Sequence, residues 1–229
     1  LANAGYPVVL CNVTNFYFDL AYNNESQEPG LYWAGFVDTR DNYTFAPYDM
    51  FKTTYTNNFG KPMVFNNVER LRPEARKNII GVECQLWSET IKGRDMLEYY
   101  TLPKLMGFAE SAWSAERPWE TIADRTAREK AIQASWNIFV NTLAQKDLPR
   151  LSYLNGGYNY RIPLPGAVVE NGTLKANIAY PGLRVRYTTD GSEPTDKSPE
   201  YTAPVQVTGK IKLKAFDAAG KASRTVEVK

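Results

Sequence analysis

Two short, β-branched apolar runs, each followed by an aromatic and polar loop and then by helical patterning, constrain this chain more than any other feature. They are residues 7–12 (PVVLCN) and 78–84 (NIIGVEC). A strand that is apolar along its length, rather than at alternate positions, is expected where both faces are covered, as in a parallel sheet. The loops occupy residues 13–45 and 85–93. Helical spacing predicts helices around residues 47–55, 94–113 and 124–145. In the second, Leu97, Tyr100, Leu105, Phe108, Ala109 and Ala112 share a face, and Pro103 forces a break or a new first turn. In the third, Ile132, Trp136, Phe139, Val140 and Leu143 share one. Strand, loop, helix, repeated, is the signature of β/α units. Two such strands cannot close a sheet by themselves, so the α/β part is expected to be a piece of something larger.

The pattern changes near Pro163. Beyond it, short β runs are predicted at 168–169, 183–189, 205–207, 211–216 and 223–228. Turn pairs such as Asn171-Gly172, Asp190-Gly191 and Ala219-Gly220 separate them. Ile211, Leu213 and Ala215 alternate with Lys210, Lys212 and Lys214, as in a strand with one buried face. The expected fold class is α/β followed by all-β. Residues 1–162 form the first domain and residues 163–229 a small β-sandwich of immunoglobulin type.

Composition narrows the chemistry. The chain has no histidine, which excludes Ser-His-Asp and Cys-His nucleophile systems and a histidine-ligated zinc. Cys11 and Cys84 are too few for a disulfide scaffold. Both are expected as buried free thiols, with a single disulfide as the alternative. The net charge is +2 with both signs interspersed, which leaves no basic footprint for nucleic acid. No apolar run approaches the ~20 residues of a membrane span. No cofactor or metal is called for. Carboxylates, tyrosines and aromatic faces remain, which is the toolkit of carbohydrate chemistry.

Four segments resemble glycoside hydrolase family 20, the β-N-acetylhexosaminidases and chitobiases. They are residues 12–19 (NVTNFYFD), 81–89 (GVECQLWSE), 103–113 (PKLMGFAESAW) and 157–165 (GYNYRIPLP). Residues 187–195 (YTTDGSEPT) resemble the C-terminal sandwich appended to many such enzymes. The resemblance implies that residues 1–162 supply the last two strands and helices of an eight-stranded TIM barrel. It also implies retaining hydrolysis of terminal N-acetylhexosamine from β-linked oligosaccharides, with the sugar's own 2-acetamido oxygen as nucleophile. In that family an adjacent Asp-Glu pair handles the proton and the acetamido N–H. This chain contains no Asp-Glu dipeptide, so the isolated chain is expected to be inactive.

Carried over by resemblance, Tyr17 aims its hydroxyl at the acetamido oxygen. Asp19 and Glu89 accept hydrogen bonds from sugar hydroxyls, Trp87 walls the pocket, and Trp33 stacks on the next sugar. Tyr17, Asp19, Trp87 and Glu89 lie just past the two predicted strands, where functional side chains of TIM barrels sit, with Trp33 in the long loop, and they are expected to open onto one sugar-sized hollow. The plainer readings are a rim tyrosine, a surface ion pair or helix cap for the carboxylates, and core packing for the indoles. Trp113, Trp119 and Trp136, on helical stretches, are expected in the core. The implied partners are an oligosaccharide or glycoconjugate containing N-acetylglucosamine and the remaining N-terminal part of the barrel. The implied location is periplasmic, outer-surface or secreted in a bacterium. A non-catalytic carbohydrate-binding role, or a structural role for residues 163–229, is the alternative.

Overall fold

The computed structural model describes residues 1–57 and 59–228, which form two compact units, Leu1–Trp136 and Asn137–Lys229. In the first, β1 (Val8–Leu10) and β2 (Ile79–Val82) pair in parallel, Val9 opposite Gly81 and Leu10 opposite Val82. The ladder resumes past the strands, where Tyr17 bridges Gln85. There the Phe18 N–H donates to the Gln85 carbonyl at 2.8 Å, and the Gln85 N–H to the Phe16 carbonyl at 3.0 Å. This second patch of ladder lays the two post-strand loops side by side. The strands themselves are not covered on both faces as expected: Val9 is 43% and Ile80 64% exposed. Two strands have too few neighbours to bury both surfaces. Cys11 is likewise exposed rather than buried, although both cysteines are free. Burial pushes the Cys84 thiol up, away from the reactive thiolate.

The helix predicted around residues 47–55 does not form; only a 3-10 turn, Met50–Lys52, is present. The Thr53 and Thr54 hydroxyls donate to the Met50 carbonyl, the side-chain competition that makes threonine a poor helix interior. Two short helices arise instead inside the predicted loop, α1 (Val13–Phe16) and α2 (Thr39–Tyr43). The second starts on a capping box. Asp38 Oδ1 accepts the Arg40 and Asp41 N–H groups at 2.7 and 3.0 Å, and Asp41 Oδ2 accepts the Asp38 N–H at 2.8 Å.

The long helical region breaks at Pro103 as predicted, into α3 (Arg94–Thr101) and α4 (Lys104–Trp113). The predicted face is buried only in part. Tyr100 is fully buried and Phe108 half-buried, but Leu97 and Leu105 are exposed and Trp113 is 90% exposed, whereas Lys104 and Ser111 are buried, with Gly107 between them. The reason is how closely α4 approaches α2. A Cβ on Gly107 would stand 2.4 Å from the Thr39 carbonyl oxygen, and Ser111 Oγ donates to the Asn42 carbonyl at 2.6 Å. That contact needs small residues and donors. Gly107→Ala should therefore destabilise the chain by about 1–3 kcal/mol, seen as a lower urea midpoint with an unchanged slope. An unchanged midpoint would mean that the helices do not meet this closely.

Helix α5 (Arg125–Thr142) is followed by a π-helical turn, Leu143–Asp147. Ile132, Trp136, Val140 and Leu143 are buried as predicted, and so is Trp119. Beside residues 17–19 the rings of Phe16 and Phe45 lie 4.7 Å apart, and those of Phe16 and Phe108 5.3 Å apart. This packed base fixes the backbone that carries the candidate site.

Among the described residues the second unit holds α6 (Leu148–Leu151) and six strands. β3 (Gly166–Glu170), β4 (Thr173–Asn177) and β6 (Val205–Gln206) form one antiparallel sheet. β5 (Arg184–Thr188), β7 (Ile211–Phe216) and β8 (Val226–Val228) form the other, in the order β5-β7-β8. Leu174, Val185, Val207, Ile211 and Leu213, drawn from both sheets and the turn after β6, make one core. Strand β4 was not predicted. Its single fully buried residue, Leu174, gives too weak an alternation to read. Tyr160 is buried and bonds to Asp217 Oδ2. The Lys221 ammonium sits 4.4 Å from the Tyr160 ring centre and 2.8 Å from Asn159 Oδ1. Burial and the Asp217 carboxylate push the Tyr160 phenol far above its ordinary range, so it stays a donor.

Candidate functional site

The loop after β1 doubles back on itself. Leu31 N–H donates to the Asp19 carbonyl at 2.8 Å, Ala21 N–H to the Leu31 carbonyl at 2.7 Å, and Val37 N–H to the Ala21 carbonyl at 3.0 Å. Gly30 permits the turn: its φ is +128°, and a Cβ there would lie 2.6 Å from the Ala21 nitrogen. The return brings Trp33 onto Tyr17, ring centroids 6.2 Å apart and planes at 74°. From the loop after β2, Trp87 approaches the same phenol at 6.1 Å and 57°. Trp33 is 62% and Trp87 49% exposed, and Tyr17 is half-buried. Tryptophan is on average a highly buried residue, so two open indoles meeting on one tyrosine are not core packing.

Asp19 lies behind this face and is buried. Its Oδ1 receives the Trp87 N–H at 3.4 Å, while its buried Oδ2 accepts no hydrogen bond among the described residues. Burial pushes the Asp19 carboxyl up, and the nearby Glu89 charge adds to the rise. The Asp19 and Trp87 N–H groups and the Lys104 charge oppose it. Glu89, exposed to solvent, is thus close enough to act on Asp19. Four of the five expected residues are thus in direct contact: Tyr17 meets the Trp33 and Trp87 rings, and Asp19 accepts from the Trp87 backbone. Glu89 follows Trp87 by two residues in the same loop and is exposed.

Trp33 and Trp87 open the cluster to solvent. A cavity of about 340 Å³ beside Thr14, Asp41 and Tyr55, and another of about 180 Å³ beside Tyr48, Ile80 and Ala112, lie on other residues.

One residue of the neighbourhood was missed. Lys104, the first residue of α4, is fully buried. Its Nζ donates to the Phe18 carbonyl at 2.9 Å and the Leu20 carbonyl at 2.6 Å, and stands 4.0 Å from the Tyr22 ring centre. The sequence signal was a cation at a helix N-terminus, where the macrodipole disfavours it. Among the described residues no group of three or more His, Cys, Asp and Glu could hold a metal ion. No helix among them is long and apolar enough to cross a membrane.

Residues 1–116 match the glycosyl hydrolase family 20 catalytic domain, a stretch that includes both post-strand loops and α4. The chain belongs to glycosyl hydrolase family 20. Residues 147–225 match the chitobiase/beta-hexosaminidase C-terminal domain. Among its relatives in the family, N,N'-diacetylchitobiase of Vibrio harveyi is 30% identical over 236 residues, covering 98% of this chain and 26% of the relative. Beta-hexosaminidase of Vibrio vulnificus is 30% identical over 250 residues, covering 99% of this chain and 28% of the relative. The solved GH20 beta-N-acetylhexosaminidase of Streptomyces coelicolor A3(2) shares 29% identity over 58% of this chain and 23% of its own, with a TM-score of 0.37. The chain thus spans about a quarter of the length of the curated relatives named here.

Proposed function

We propose that the chain is the C-terminal part of a β-N-acetylhexosaminidase, and that the Tyr17–Trp87–Glu89 face is its share of the sugar site. In this reading residues 1–162 are the last two strands and helices of the eight-stranded barrel. Residues 163–229 are an immunoglobulin-like sandwich with a structural role. The enzyme removes terminal non-reducing N-acetylhexosamine from β-linked oligosaccharides outside the cytoplasm of a bacterium. The observation that carries the proposal is the phenol of Tyr17, met by two exposed indoles and neighboured by carboxylates, just past successive parallel strands.

The reaction follows from what the groups can do. The acetamido oxygen attacks the anomeric carbon, and positive charge develops on the acetamido group. A hydroxyl held at that oxygen fixes the attacking geometry, and Tyr17 supplies it. Trp87 walls the acetamido group or the sugar face, and Trp33 offers a stacking surface for the next sugar. Glu89 accepts from the sugar's outer hydroxyls, an ionised acceptor being stronger than a neutral one. Asp19 accepts one more through its unpartnered Oδ2. The acid and the acetamido-binding aspartate come from residues outside this chain, which has no Asp-Glu dipeptide.

In the enzyme with its complete barrel, Glu89→Gln should raise KM for an aryl N-acetyl-β-glucosaminide about 10- to 100-fold, the weight of a charge-assisted hydrogen bond. The effect on kcat should be smaller. An unchanged KM would remove Glu89 from the site.

A further inference from the structure

We infer that Lys104 is a positioning residue for the sugar site, clamping the backbone on both sides of Asp19 and holding its carboxylate in place. The inference rests on the reading of Asp19 as a sugar ligand. A buried ammonium is strongly disfavoured unless it is paired and hydrogen-bonded. Here the disfavour is doubled, because the cation opens a helix, where the dipole presents its positive end. An apolar side chain of the same length would fill the space without either penalty. What the lysine gains is specific. Its Nζ bonds the carbonyls of Phe18 and Leu20, the two residues that flank Asp19, at 2.9 and 2.6 Å. The ammonium also stands over the Tyr22 ring, 4.0 Å from its centre.

Two charges from different elements act on Asp19. Lys104 reaches it from α4, and Glu89 from the loop after β2 with the opposite effect. Lys104 also faces Asp41 of α2, which sits in the field of Asp38. The Lys104 charge thus favours the ionised form of Asp19, while burial and Glu89 both work against it. If Asp19 must be ionised to accept a sugar hydroxyl, turnover falls as pH drops through the Asp19 titration. Removing the ammonium moves that fall to higher pH.

The test is a pH profile of kcat/KM for the complete enzyme as wild type, Lys104→Met and Lys104→Arg, with each change repeated in an Asp19→Asn background. Lys104→Met should lower kcat/KM about tenfold or more at neutral pH and shift its acid limb upward. Lys104→Arg should return the limb to the wild-type position. In the Asp19→Asn background Lys104→Met should add little, because the two act as a unit. A purely structural lysine would lower stability and leave the acid limb in place, which would overturn the inference, as would full additivity of the two changes. Should Lys104→Met not fold, Lys104→Arg decides the matter: a limb displaced although the charge is kept contradicts the assignment. Failure of the sugar-ligand reading is separately visible, since Asp19→Asn alone would then leave KM unchanged. The Asp19 carboxyl titration, followed by NMR in wild type and Lys104→Arg, would still report whether the lysine charge acts on it.

Discussion

Purified at confirmed mass, the 229-residue chain should release no aryl alcohol from an N-acetyl-β-glucosaminide. General acid catalysis by a positioned carboxyl contributes about 10²–10⁴-fold, and orientation of the nucleophile contributes a further large factor. In the proposed mechanism both depend on an adjacent Asp-Glu pair that these residues do not include. In the proposed reading the chain offers an open face with two indoles, a phenol and an exposed glutamate, which holds a sugar ring but does not protonate its leaving oxygen in a water-excluded site. Weak binding of N-acetylglucosamine without turnover is the expected pairing. Turnover that is abolished by an N-acetylglucosamine-thiazoline type inhibitor would show that a group on this chain does the proton transfer, and the division of labour proposed above would be wrong.

Within the complete enzyme, Tyr17→Phe should lower kcat about 10²–10³-fold and move KM little. The change keeps the ring that meets Trp33 and Trp87 at 6.2 and 6.1 Å, so the walls of the site stay in place and only the hydroxyl is lost. A donor aimed at the oxygen where charge reorganises in the transition state is worth about that factor when removed. The split between kcat and KM is the informative part. If KM rises and kcat holds, Tyr17 is a wall and not a positioning donor. If neither moves, it is a rim tyrosine.

The candidate site was legible in the sequence because residues 12–19 and 81–89 resemble family 20 segments, and its residues also sit just past strand ends. Tyr17, Asp19, Trp87 and Glu89 could be placed past two apolar runs without knowing any contact. The ladder between Tyr17 and Gln85 then did what a parallel pair does and brought the loops together. Trp33 lies fourteen residues further along its loop than Asp19. Its position depended on a return through Gly30 that no periodicity announces. Lys104 was overlooked for the opposite reason: a lysine reads as surface unless its unfavourable place at a helix start is noticed. The buried face of α4 was misjudged because the reading followed large apolar residues. The actual contact with α2 is made by Gly107 and Ser111, where backbone meets backbone. Trp113 shows the same error from the other side: a helical tryptophan assigned to the core that is 90% exposed. In the second unit the alternation of Ile211, Leu213 and Ala215 was readable, whereas β4 offered one buried leucine and no pattern.

The most direct measurement is a crystal structure of the complete enzyme with N-acetylglucosamine bound. The account predicts the Tyr17 hydroxyl within hydrogen-bonding distance of the acetamido oxygen, the Trp87 indole against the sugar, and a Glu89 oxygen on a ring hydroxyl. A sugar seated with these three side chains out of reach would contradict it.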